Sequence, residues 1–408
     1  MTSSRSMRRL PAGCRSTGGR MAIAMERCRH RFISLFNRHG YRLFWSSGLQ
    51  LLETSWDLLP RTIRESLLVL TSPMGEPCCL RSDITLAAVN YLANHYSPQE
   101  RPLRMCYADR LYRNPAPGGD LEKFQIGAEL LGWEGEGADV EILSLLLEGL
   151  DSLGLIDGKL VLSDVTLVDN AMEKLDEELK SDLLKALQEG SYRTYFKLLS
   201  GCRSKENRLL EALPELKGGP EVLDEARKLT GAESLRSLDN ISEILGRMGK
   251  SDRIAFDLGS IRELDYYSGP VFDVYSPESG KSLGGGGRYD SLLGSYGLSG
   301  QAIGFGLDLE ELARHSIYRN PEPIVAIKGG GTPPDLVLSR CSAFHDAGLT
   351  TEITWSHDGD SGMARAKAKG YSWWYDPEND TVTDISREGG NTASLEVWFR
   401  NREEKGSC

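Results

Sequence analysis

The sequence predicts an α+β core that carries a helical insertion and is followed by a small α/β domain. Three features lead there. Strand-like and helix-like segments alternate from about residue 24 to 169, and strand patterns return from 253 to 308. Residues 171–250, opening AMEKLDEELKSDLLKALQEG, are instead charged and helical in period. Beyond Asn320-Pro321 short strand and helix patterns alternate through residues 321–408, as in a compact α/β domain.

The elements follow in order. Residues 24–39 place Met25, Cys28, Phe32, Leu35 and Phe36 on one helical stripe, and Gly40 stops the helix. YRLFW (41–45) enters as a strand. EPCCLRSDITLAAVNYLANH (76–95) reads as a strand and then an apolar helix capped by Asp83 or Thr85. RPLRMCYADRLYRN (101–114) is a strand and APGGD (116–120) a turn. In residues 120–132, Phe124, Ile126 and Ala128 alternate with Gln125, Gly127 and Glu129, the period of a strand. A helix over 138–154 and a strand over 159–169 precede the insertion. RIAFDLGSI and IRELDYYSGPVFDVY (261–275) read as strands, and AIGFGLDLEELAR (302–314) as a strand running into a helix. In the last domain, strands are expected over 324–328, 349–355 and 371–375, with helices over 335–348 and 362–370. Residues 1–20 are basic and Ser-rich, without the apolar stretch of a secretory signal, and are expected to be disordered.

A chain of 408 residues calls for two or three cores. The net charge of −11 disfavours a nucleic-acid surface. The eight cysteines form no pattern with metal-ligand spacing, which points to reduced thiols and no metal centre. No run approaches the ~18–20 apolar residues of a membrane span.

The chemistry lies in polar residues on apolar strands. The run GGGGRYD (284–290) has neither P-loop nor dinucleotide-fingerprint spacing, so close backbone approach within a sheet explains it better than a phosphate cradle. Gln125 and Glu129 are four apart, so on a strand they share a face; Arg262 and Tyr266 have the same spacing, and Asp265 and Tyr267 share the opposite face. Burying such groups requires mutual hydrogen bonds or a polar ligand, and an amino-acid zwitterion would fit. The spacing equally allows the solvated outer face of an antiparallel sheet.

Longer motifs bring in a family. IRELDYYSGPVF resembles the histidine-specific signature Arg-Gly-Leu-Asp-Tyr-Tyr-Thr-Gly of the histidyl-tRNA synthetases, and GGGGRYDSLLG resembles its companion Gly-Gly-Arg-Tyr-Asp. CLRSDIT (79–85) stands in the place of Leu-Arg-Pro-Glu-Gly-Thr. RLYRN with KFQIGAE resembles motif 2 of the class II aminoacyl-tRNA synthetases, and AIGFGLDLEEL resembles motif 3. The resemblance covers about residues 10–320. It implies a class II synthetase-like core over 21–320, an antiparallel sheet flanked by helices, with the helical insertion at about 170–250. Residues 321–408 resemble a reduced anticodon-binding domain. The implied histidine-binding set is Asp83, Thr85, Arg113, Gln125, Glu129, Arg262, Tyr266, Tyr267 and Tyr289.

The departures concern ATP. Motif 3 of the active enzymes ends Gly-Leu-Glu-Arg, whereas this chain reads Asp308-Leu309-Glu310-Glu311, two further carboxylates expected to face a triphosphate. A single charge pair at ~4 Å in an effective dielectric near 20 is worth about 4 kcal/mol, so replacing Arg by Glu turns attraction into repulsion of similar size. Asn114 and Pro115 follow Arg113 where an acid is usual, Ser82 replaces a proline, and WSSG (45–48) lacks the motif 1 proline. This profile resembles the regulatory-subunit branch of ATP phosphoribosyltransferase. The resemblance implies a non-catalytic cytoplasmic protein without catalytic residues or cofactor, acting in the first step of histidine biosynthesis. Its implied partners are the short-form catalytic subunit, in a hetero-oligomer usually octameric around a homodimeric core, and L-histidine as effector; tRNA is disfavoured. The alternative is a histidine–tRNA ligase.

Overall fold

The computed structural model describes residues 10–59, 61–114, 119–200, 208–260, 266–319, 324–355 and 359–406. The chain divides into two compact units, Met1–Arg319 and Asn320–Cys408. Among the described residues no helix is long and apolar enough to cross a membrane.

Among the described residues, the first unit is organised by a nine-stranded sheet. Its order is Arg42–Leu43, Leu103–Tyr112, Glu122–Leu131, Ala302–Asp308, Gly284–Arg288, Pro270–Tyr275, Lys159–Asp164, Ile254–Asp257, Lys217–Gly218. The six strands from 103–112 to 159–164 are antiparallel throughout. The expected antiparallel sheet is therefore mixed: strand 42–43 runs parallel to 103–112, and 254–257 parallel to 159–164.

Alternation gives this sheet two unlike faces. One carries Cys106, Ala108, Ile126, Ala128, Phe305, Leu307, Phe272 and Val274 into the main core. Two helices cover it: Gly19–Arg38, through Cys28, Phe32 and Phe36, and Glu136–Ser152, through Ile142, Leu146 and Leu150. The other face carries Met105, Tyr107, Gln125, Glu129, Asp273 and Asp308, with Gly127, Gly285, Gly287, Gly304 and Gly306 between them in the strand registers. Helix Ile84–His95 covers its Met105–Tyr107 end, with Ile84, Ala88 and Leu92 in the second core cluster. Asp83 caps that helix by accepting the Leu86 N–H at 2.8 Å, which settles the choice between Asp83 and Thr85.

The expected loose N-terminal stretch makes contacts with the core in its described part. Leu121 N–H donates to the Gly13 carbonyl, and Arg15 pairs with Glu310 and with Asp120. The strand expected over 159–169 stops at Asp164, whose carboxylate caps the next helix, Val165–Met172. The region between strands 159–164 and 254–257 holds the helices Glu177–Gln188, Tyr192–Leu199, Glu221–Thr230 and Arg236–Arg247.

The described residues of the second unit hold five strands in the order Thr350–Thr354, Ile324–Lys328, Trp373–Asp376, Thr381–Asp384, Thr392–Ser394. Val337 and Phe344 of helix Pro334–Asp346 pack beside Ile327, Tyr375 and Trp398.

One contact in the main core is tight enough to test. A Cβ on Gly149 would lie 2.2 Å from Phe32 Cε1. Phe32→Ala should cost about 3–5 kcal/mol by leaving a cavity. Gly149→Ala should destabilise the wild type yet be tolerated in the Phe32→Ala chain, with a coupling of about 0.5–3 kcal/mol in a denaturant-unfolding double-mutant cycle. Additive effects would show that the helix and the ring move apart freely.

Candidate functional site

A cavity of about 410 Å³ opens over the polar face of the main sheet. Its lining includes Asp83, Thr85, Arg113, Gln125, Tyr266, Tyr267 and Tyr289 from the expected set. Arg262, Glu263 and Asp265 lie outside the described residues. Tyr266 and Tyr267 are not on a strand: they lie in a turn before strand 270–275, so the opposite faces assigned to them by alternation do not apply. Their rings sit 5.2 Å apart and both line the cavity.

Glu129 departs differently. It is absent from the lining and has no exposure at all. Its carboxyl lies behind two residues of the wall: Thr85 Oγ1 donates to Oε1 at 2.7 Å, and the Tyr289 hydroxyl donates to Oε2. Burial, aided by the neighbouring Asp83 carboxylate, pushes the Glu129 carboxyl up to about 8 against the hydrogen bonds that favour its ionised form. Burial also holds the phenols of Tyr107, Tyr266 and Tyr289 well above the usual tyrosine value. The buried end of the cavity is thus a hydroxyl-rich chamber around one carboxyl that tends to keep its proton.

Glycines make room for these groups on the sheet. A Cβ at Gly304, opposite Glu129 in register, would fall 1.6 Å from Oε2; one at Gly306 would fall 2.3 Å from Gln125 Nε2. Tyr107 lies across Gly127, where a Cβ would meet its ring and hydroxyl at 2.5 Å, and its hydroxyl reaches Gln125 Oε1 at 3.3 Å. The glycine run of strand 284–288 therefore approaches backbone closely, as expected: a Cβ on Gly286 would lie 1.9 Å from the Gly304 carbonyl oxygen.

The more open end of the cavity mixes Arg113 and Lys123 with Asp273, Ser282 and Asp308. Arg113 Nε donates to the Ser82 carbonyl at 3.0 Å, tying the end of strand 103–112 to the loop before the capped helix. Buried Arg81 secures the same loop, pairing with Asp109 at 2.8 Å and donating to the Ser46 carbonyl at 2.8 Å. The two extra carboxylates of the 308–311 run, Asp308 and Glu311, stand differently to the cavity. Asp308 lines it and caps the following helix, accepting Glu310 N–H and Glu311 N–H at 3.0 and 3.1 Å. Glu310 pairs with Arg15 and Arg314, and Glu311 meets Lys281 at 2.8 Å and Arg314 at 3.5 Å.

Sequence reasoning missed Tyr107, Lys123 and Asp273. Lys123 was within reach, because it shares strand parity with Gln125 and Glu129. Tyr107 and Asp273 join only through cross-strand register, which one sequence does not reveal.

The family model described as "Histidyl-tRNA synthetase" matches residues 13–312. A protein of Moorella thermoacetica named ATP phosphoribosyltransferase regulatory subunit is 32% identical over 386 residues, covering 88% of this chain and 96% of that protein. A histidine–tRNA ligase of Methanocaldococcus jannaschii is 29% identical over 69% of this chain and 70% of its own length. Among solved structures, an ATP phosphoribosyltransferase regulatory subunit/histidyl-tRNA synthetase from Bacillus halodurans superposes with a TM-score of 0.78 at 25% identity, covering 91% of this chain and 97% of that one.

The perturbed carboxyl yields a pH prediction. An acid whose value rises on folding keeps, in the folded state, a proton that the unfolded chain gives up, so stability should fall as pH rises from 4.5 towards 8. Relative to Glu129→Gln, which cannot titrate, the ligand-free wild type should lose stability across that window in chemical-denaturation curves. Parallel pH profiles for the two chains would show that Glu129 is ionised throughout.

Proposed function

Because the chain belongs to the histidyl-tRNA synthetase family, we propose that it serves as the non-catalytic regulatory subunit of ATP phosphoribosyltransferase, in the first step of histidine biosynthesis. In this reading it works in the cytoplasm, partners the short-form catalytic subunit, and uses the synthetase-like cavity to sense L-histidine. The observation that carries the reading is a split within one cavity. Its buried end keeps the polar chamber of Asp83, Thr85, Gln125, Tyr266, Tyr267 and Tyr289, while the motif 3 run supplies Asp308 to the wall and turns Glu311 to Lys281. An amino acid is accommodated at one end; the other offers Arg113 and Lys123 offset by Asp273 and Asp308, a poor match for a triphosphate.

In the bound state the ligand's ammonium sits against Thr85 and Tyr289, with Glu129 behind them supplying the charge. Tyr266 and Tyr267 flank the imidazole, and Arg262, on the sequence motif alone, takes the carboxylate. A homodimeric core has support from the small sheet Leu49–Leu51, Val69–Thr71, Pro77–Leu80. It exposes Leu49, Leu51, Val69 and Leu70, with Trp45, Trp56 and Met74 nearby in the chain and also exposed.

A histidine–tRNA ligase is the second reading, favoured by the M. jannaschii relative. Two measurements separate them. Adding this chain to a short-form catalytic subunit should raise phosphoribosyltransferase activity and give a larger species on sizing; unchanged activity with no complex at equal stoichiometry would reject the assignment. The isolated chain should give no histidine-dependent ATP–pyrophosphate exchange, and exchange above background would establish the ligase instead.

A further inference from the structure

The apolar face of the main sheet buries an ion pair beside the cavity. Arg288 ends strand 284–288, and its register partner is Ile303 of the main core. Its side chain therefore points away from the cavity, while Tyr289, the next residue, lines it. Arg288 is 7% exposed and Asp139, in the first turn of helix 136–152, is 1% exposed. Arg288 Nη2 donates to Asp139 Oδ1 at 2.6 Å and to the Gly135 carbonyl at 3.3 Å, and Nη1 lies 3.5 Å from Asp290 Oδ1. Taking two charges out of water is costly, and well-packed apolar side chains often serve stability as well as such a pair or better. What apolar side chains lack is a planar fork of donors with fixed directions.

The fork fixes a seam between two stretches that line the cavity. The Arg288 carbonyl accepts the Ser268 N–H at 2.8 Å, Ser268 Oγ accepts the Asp290 N–H at 2.8 Å, and Ser291 Oγ donates to the Tyr266 carbonyl at 3.0 Å. Beside this seam the Arg288 stem lies against Gly269, where a Cβ would fall 3.0 Å from its Cδ. Asp290 Oδ1 in turn accepts the Ala302 N–H at 2.8 Å, and the Tyr289 N–H donates to the Ala302 carbonyl at 2.8 Å. The turn of Tyr266 and Tyr267 is thus hung on residues 288–291, and the rings of Tyr266 and Tyr289 stand 6.0 Å apart. We propose that Arg288, anchored by Asp139, is a positioning residue for the chamber: from behind the sheet it sets Tyr266, Tyr267 and Tyr289 relative to one another. Arg288 acts on a ligand only through these rings. What the rings recognise rests on the amino-acid reading of the cavity; how they are held does not.

The test reads calorimetry of L-histidine binding to the full chain beside thermal melting, and beside carbon NMR of ring-labelled tyrosines in the ligand-free protein. Arg288→Met alone leaves Asp139 buried without its partner and should melt early. The double variant Asp139→Leu with Arg288→Met removes both charges, and should melt close to the wild type. It should nevertheless bind L-histidine about tenfold more weakly or worse, with the signals of Tyr266, Tyr267 and Tyr289 shifted. Arg288→Lys keeps a charge beside Asp139 but lacks the fork that also reaches Gly135 and Asp290, and should do the same at an unchanged melting temperature. A merely structural pair would change melting and leave affinity, measured well below it, as in the wild type. Wild-type affinity or unmoved tyrosine signals in a folded variant without the fork therefore overturn the proposal and leave the amino-acid reading standing. No binding heat from the wild type at millimolar histidine overturns the amino-acid reading, and the tyrosine signals of the ligand-free chains then decide the proposal by themselves.

Discussion

Burying Glu129 is the constraint around which the first unit is arranged. A carboxyl with no exposure must be neutral, paired or fully hydrogen-bonded, because desolvating an isolated charge costs far more than a fold can spare. Two hydroxyls from different elements meet that demand here. They fix where helix 84–95 begins and where the chain turns after strand 284–288. The space for the carboxyl comes from Gly304 on the adjacent strand. Cap, turn and glycine are thus tied to a single side chain.

The two faces of the sheet divide the work. The face towards helices 19–38 and 136–152 is apolar and stabilises the unit by burial. The opposite face gives up that contribution over its glycines and polar residues, and gains a chamber whose walls can recognise a polar molecule. The registers place Tyr107 beside Gly127 and Gln125 diagonally across from Gly306, so each large polar side chain lies over a position without one. The same alternation that fills the core on one side leaves a furrow on the other.

Much of this was legible in the sequence, for physical reasons. Gln125 and Glu129 stand out because polar residues at period two interrupt an apolar strand, and Asp83 because an acid before an apolar helix is a cap. The turn at Tyr266 and Tyr267 was not legible: the residues around it have strand-like composition, and the polar contacts that hold the turn come from Asp83 and Ser291, distant in sequence. Glu311 misled for a related reason. A motif fixes which residue occupies a position, but Lys281 and Arg314 decide where its side chain points. The placement of Glu129 behind the wall depends on side-chain length against strand spacing, which pattern alone does not express.

The furrow of Gly285, Gly287, Gly304 and Gly306 has a consequence for how this protein can change over generations. Any amino-acid replacement at these four positions adds volume, since nothing is smaller than glycine. Mutational drift there runs in one direction, towards a filled and closed chamber. A chamber once filled at two of these sites reopens only by two independent reversions. Its openness is therefore the most perishable trait of the molecule, and a lineage freed from the need to hold a small molecule would lose the hollow long before it lost the sheet.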